Sequence, residues 1–109
     1  MISKELLGEI FGWEVKFVNP RVNDKEISFI DYHGNTDSFN VYYIVHKCKE
    51  YIRKLGYQIK ITYVEYNGNI FVELVDWRSG GAKIIDGCFK ADNEFDAVVE
   101  AAQWVLENR

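Results

Sequence analysis

Four side chains in this sequence could ligate a soft metal or supply a nucleophile and its base: His33, His46, Cys48 and Cys88. His46 and Cys48 are two residues apart. On a helix they project about 200° from each other and cannot share an ion. No C-x-x-C or H-E-x-x-H pattern occurs, so the sequence predicts no metal site and no cofactor. A cysteine or serine nucleophile needs a base within hydrogen-bond reach. Nothing in the spacing brings Cys48 or Cys88 beside His33 or His46. Both cysteines read as structural, Cys48 because it falls within an apolar helical stripe, and His46 reads as a surface residue. No catalytic residue is assigned, and an enzyme is expected only if its groups converge in three dimensions.

The charged residues offer two further candidates. Asp92, Glu94 and Asp96 cluster, but at a helix start, where the dipole alone attracts carboxylates. Asp76 and Asp86 could flank a site, but nothing in the sequence selects them. Ser79-Gly80-Gly81 could nest an anion but lacks the lysine and the following helix of a phosphate loop. Lys47, Lys49, Arg53, Lys54 and Lys60 crowd residues 47–60, opposed only by Glu50, so this window carries +4 and the remainder −8. Interleaved with Tyr51 and Tyr57, it is the candidate contact for an anion or nucleic acid. The plainer reading is a solvated helix face with Glu50 and Lys54 as an i,i+4 pair.

Composition sets the frame for these residues. The chain has 109 residues, enough for one domain spanning 1–109 with no metal or disulfide staple. It is 48% hydrophobic and 28% charged, an ordinary globular mixture. The net charge of −4 argues against non-specific affinity for nucleic acid or anionic lipid. No apolar run approaches the ~20 residues of a membrane span, and the first residues show no signal stretch. Two cysteines suit a reducing cytoplasm. Aromatics reach 16%, with Trp13, Trp77 and Trp104 among them, and such side chains are favoured at interfaces.

The elements that must position these residues follow from periodicity. Ser3 caps a helix over residues 3–11 with Leu6, Leu7, Ile10 and Phe11 on one stripe, and Gly12 stops it. Trp13, Val15 and Phe17 alternate as a strand over 13–18, which Asn19-Pro20 breaks. A second strand covers 26–32, and His33-Gly34-Asn35 turns the chain. Val41, Ile44, Val45, Cys48, Ile52 and Leu55 make one apolar face of a central helix, capped by Asp37, Ser38 or Asn40 and closed by Gly56. Asn67-Gly68 predicts a two-residue hairpin pairing Val64 with Phe71, Tyr63 with Val72 and Ile61 with Leu74. A third run covers 82–90, with Asp86-Gly87 marking a bulge or turn. Asp92 or Asn93 caps a last helix with Phe95, Val98, Ala102, Val105 and Leu106 inward. The fold class is α+β, an antiparallel sheet with helices packed on it, in the order α-β-β-α-β-β-β-α.

Residues 40–108 resemble the topology of double-stranded-RNA-binding domains, most visibly from Ile70 to Leu106, where Gly80-Gly81 precedes a strand and alanines mark the final helix. That family grips RNA with a lysine-rich start to its last helix, where this chain has Asp92, Asn93, Glu94 and Asp96. Its long first hairpin loop is replaced by Asn67-Gly68. The resemblance therefore implies topology and no RNA contact. Separately, His46-Lys47-Cys48-Lys49-Glu50-Tyr51 and Ala101-Ala102-Gln103-Trp104-Val105-Leu106 resemble helices of small uncharacterised phage and prophage proteins, a class that implies no catalytic residue.

In the predicted hairpin one face, Ile61, Tyr63, Val72 and Leu74, matches the central helix. The other carries Val64, Phe71, Val75 and Trp77 among Lys60, Thr62 and Glu73. It is the expected contact for another protein or a second copy, unless Leu6, Ile10 and Phe11 of the first helix fold over it. The expected function is thus a non-enzymatic, cytoplasmic binding protein, of the phage type that contacts a host protein. The alternatives are a nucleic-acid-binding module using residues 47–60 and an enzyme with a site hidden in sequence.

Overall fold

Three strands precede the central helix and four follow it, and each set closes into its own antiparallel sheet. The computed structural model describes residues 2–12, 15–22, 26–31, 34–64, 68–78, 80–85 and 89–109, with backbone alone at 15–22, 29–31 and 37. Helix α1, Lys4–Phe11, starts where Ser3 Oγ accepts from Leu6 N at 3.1 Å and ends at Gly12 in the left-handed region. Strands β1 (Val15–Val22), β2 (Glu26–Asp31) and β3 (Thr36–Asn40) form the first sheet in that order. Asn40 then caps α2, Val41–Lys54, its side chain accepting from Tyr42 N at 2.8 Å. Strands β4 (Tyr57–Val64), β5 (Asn69–Asp76), β6 (Lys83–Ile84) and β7 (Phe89–Ala91) form the second sheet, in which β4, β6 and β7 all pair with β5. Asn93, not Asp92, caps α3, Glu94–Glu107, through a 2.8 Å bond from Asp96 N.

The α+β class and the element order hold, with an added strand β3 and a divided last strand. Three local expectations change. Asn19-Pro20 does not end β1; the strand runs through it, with a register shift between Lys16 and Arg21. Proline is tolerated there because β1 is an edge strand and the ladder is irregular at that point. The β4–β5 hairpin pairs Val64 with Asn69, Ile61 with Val72 and Ile59 with Leu74, two residues from the expected register. The loop is longer than two residues. Gly68, at φ +70°, donates back to Val64 O at 3.0 Å, while Asn67 lies outside the described residues. Finally, Val75 faces Ile84 while Val72 faces Phe89, three positions apart on β5 and five on the other strand. Two extra residues therefore lie between Ile84 and Phe89, and Asp86-Gly87, where a bulge or turn was expected, falls outside the described residues, as does Cys88.

One core joins all three helices and both sheets. Leu6, Leu7, Ile27, Ile44, Cys48, Ile52, Val72, Leu74, Val98, Ala102 and Val105 are fully buried in it. Helix α2 lies on β4, and α3 lies on β5 and β7. Tyr63 shares this face but is exposed, contrary to its expected place in the core stripe. Tyr51, absent from the expected stripe of α2, is buried. Helix α1 packs on α2, α3 and β1. Ser3 Oγ donates to Gln103 Oε1 at 2.8 Å and Arg109 pairs with Glu9 at 2.5 Å, tying α1 to α3. The Cα extents are 43 × 36 × 17 Å. A thickness of 17 Å holds a sheet and one helix layer about 10 Å apart, and the described residues form no third layer.

Candidate partner-binding face

Backbone register decides which side chains share the outer face of the second sheet. Antiparallel partners point the same way, so Thr62 with Phe71, Lys60 with Glu73, Gln58 with Val75 and Val64 with Asn69 lie opposite the core-facing pairs Ile61–Val72 and Ile59–Leu74. The two-residue slide in register leaves this assignment intact, because side chains alternate with period two. On that face Val64, Phe71 and Val75 are half-buried, and Trp77 remains 50% exposed just past the end of β5. Pairing of Val75 with Ile84 adds a fifth apolar residue, 65% exposed, which the sequence reading missed. Only the register of β6 against β5 could have placed it there.

Polar groups frame the apolar strip. Lys90, opposite Phe71, holds its ammonium 5.8 Å from the phenyl centroid. Trp77 Nε1 donates to Gln58 Oε1 at 3.3 Å, which orients the indole across the end of β4. The turn beneath Trp77 is fixed by Arg78. Its guanidinium contacts Asp76 through Nε at 3.0 Å and Nη2 at 2.9 Å, and its backbone N donates to Asp76 Oδ1 at 2.8 Å. The hydrogen bonds from Arg78 hold the Asp76 carboxyl below its ordinary pKa. The same guanidinium sits 4.6 Å over the Tyr57 ring. Gly80 N donates to Trp77 O at 3.2 Å and closes the turn. Ser79 of the candidate anion nest lies outside the described residues.

The five basic candidates do not converge. Lys49 reaches across to Glu94 at 2.7 Å, and Tyr63 donates to the other oxygen of that carboxylate at 3.3 Å. Burial first, then the Glu94 charge, raises the Tyr63 pKa. Lys47 lies over the Tyr43 ring and 3.6 Å from Glu50. Glu50 pairs with His46 at 2.7 Å and with Lys47, rather than with Lys54 as expected. Arg53 and Lys54 are exposed in the last turn of α2, and Lys60 is on the sheet face.

Cys48 is fully buried, and burial pushes its thiol from 9.0 up to about 12. It is no candidate nucleophile at neutral pH. His33 and Cys88 lie outside the described residues. Among the described residues no three His, Cys, Asp or Glu side chains group as metal ligands, and no helix is long and apolar enough to cross a membrane. A cleft of about 180 Å³ between α1 and α2, lined by Glu9, Lys47, Glu50, Tyr51 and Lys54 with Ile10 and Leu55, carries opposed charges. It is smaller than the roughly 300–1,000 Å³ usual for small-molecule sites. No protein-family model matches the chain, and no curated protein or solved structure matches it.

Proposed function

We propose that this chain is a non-enzymatic binding protein that meets a protein partner through the outer face of its second sheet. The observation that carries the reading is the combination of Trp77 and Ile84, both at least half exposed, with half-buried Val64, Phe71 and Val75 on one uncovered sheet face. Phe71 and Trp77 with their apolar neighbours, crossed between Phe71 and Val75 by the Lys60–Glu73 pair and flanked by Lys90, have the mixed composition of an interface hot spot. The working compartment we infer is the cytoplasm, where a free buried thiol such as Cys48 stays reduced. The likeness of residues 46–51 and 101–106 to helices of small phage-encoded proteins supports a partner in a host cell.

The test compares Trp77→Ala and Ile84→Asp with wild type. Trp77 is half exposed, so its truncation costs about 1–3 kcal/mol rather than the larger penalty of a core tryptophan, and the variant stays folded. Affinity capture from a bacterial lysate is expected to retain a protein on wild type that both folded variants lose. Capture of the same proteins by all three chains would overturn the reading, as would capture of none.

A further inference from the structure

The two edges of the second sheet are built differently. On one side β6 has two residues, both exposed, and β7 three, with a register break between them and a lysine in each. Short, interrupted, lysine-bearing strands are the usual guard against further pairing. The other edge is β4: eight residues, paired to β5 without a bulge, and with Lys60 as its sole charge. Among the described residues nothing pairs with its outer side.

Hydrogen-bond parity shows which groups that edge offers. Gly56 O accepts from Trp77 N, and Val64 O accepts from Gly68 N, so even-numbered carbonyls of this strand turn toward β5. Leu74 O accepts from Ile85 N, so even positions of β5 turn toward β6 and its odd positions toward β4. Both observations leave the N–H and C=O groups of Tyr57, Ile59, Ile61 and Tyr63 directed outward. Their side chains lie on the core face, where Ile59 and Ile61 are half-buried and Tyr63 exposed, so the core runs out to the edge rather than ending under α2.

We infer that two copies of this chain associate by antiparallel pairing of β4 with β4 about a two-fold axis at Ile61. In that register Ile61 exchanges hydrogen bonds with the partner's Ile61, and Ile59 with the partner's Tyr63. Ile59 then covers the exposed Tyr63 ring. Lys60 falls opposite the partner's Thr62 in a close, non-hydrogen-bonded pair. An axis one residue earlier would set Lys60 against itself, and like charges directly opposite are unfavourable. The strand is therefore self-complementary in the Ile61 register, and the two uncovered faces become one continuous surface.

Sedimentation equilibrium over a wide concentration range, with residue-resolved hydrogen exchange, tests this. Thr62 is exposed, so its replacement spares the core. Thr62→Lys sets two like-charge pairs across the axis and weakens dimerisation, whereas Thr62→Glu sets two opposite pairs and tightens it, each by about two- to thirtyfold. The amides of Ile59, Ile61 and Tyr63 gain protection as concentration rises, while those of Lys60 and Thr62 are protected throughout. A monomer at every concentration, with the odd amides exchanging freely, overturns the inference. So does a dimer on which the two Thr62 variants act alike. Trp77→Ala leaves the edge dimer intact, which separates this outcome from the fate of the apolar face; a dimer dissolved by Trp77→Ala would place the contact on that face and refute edge pairing.

Discussion

Replacing Gly56 by alanine probes the joint where α2 turns into β4. Gly56 sits at φ +96°, donates to Arg53 O at 3.0 Å and accepts from Trp77 N at 3.2 Å. Side chains rarely adopt that backbone conformation, and holding alanine in it costs about 1–3 kcal/mol. There is also no room for the new atom. A Cβ at Gly56 would lie 2.8 Å from Arg78 Cγ and 3.6 Å from Cδ. Arg78 would have to withdraw from the Tyr57 ring and the Asp76 carboxylate, which adds to the backbone strain. Against a total stability of roughly 5–15 kcal/mol this is a large loss. Urea unfolding followed by tryptophan fluorescence would measure it in wild type, Gly56→Ala, Arg78→Ala and the double variant. In the Arg78→Ala background the clash is gone and only the backbone strain remains, so Gly56→Ala costs less there than in wild type. A Gly56→Ala variant within about 0.5 kcal/mol of wild type, or a cost unchanged by removing Arg78, would refute the reasoning.

The thiol of Cys48 should resist alkylation in the native protein at mildly alkaline pH and react fully on unfolding, read by mass spectrometry. Because burial raises its pKa from 9.0 to about 12, the unfolded chain loses this proton first. The stability it contributes is complete below about pH 9 and is lost as pH rises toward 12, and Cys48→Ala should flatten that part of the decline in a urea titration. For nucleic acid, a gel shift at about 0.15 M salt should show no sub-micromolar binding of duplex RNA or DNA, because Lys47 and Lys49 are engaged within the protein and the start of α3 is acidic.

What could be read from sequence was whatever a single period determines. The stripe of α2 repeats every 3.6 residues over four turns, and each of its members from Val41 to Ile52 is buried. The split of the hairpin into two faces was equally legible, since it depends only on alternation. The register was not: an Asn-Gly pair favours a two-residue loop, yet the pairing closes at Val64 and Asn69. Strand β3 was invisible because Thr36-Asp37-Ser38-Phe39-Asn40 has no β pattern of its own. It is a strand through its ladder to β2, and Phe39 is held by Phe11 at 4.7 Å and stacked on Tyr43 at 5.8 Å. The Phe11–Phe39 contact joins residues far apart in sequence. The same limit hid Ile84 from the candidate face and kept the fate of α1 open.

The placement of α1 bears directly on function. Its apolar stripe could have capped the outer face of the second sheet and buried Trp77. Instead Leu6, Leu7 and Ile10 join the core beside α2 and α3, and the first sheet follows α1 through β1. The N-terminal third thus widens the plate without thickening it. At about 25 cal/mol per Å² of apolar surface, leaving Trp77 and Ile84 half-exposed forgoes several kcal/mol that a third layer would recover. The face is also held in shape, by the Trp77–Gln58 hydrogen bond and by the Arg78–Asp76 fork in the turn that carries Trp77. A surface that is apolar, rigid and uncovered binds with little ordering cost. Pairing at β4 would join two such faces edge to edge, so a partner with a matching two-fold repeat would engage both at once and gain affinity with no new kind of contact.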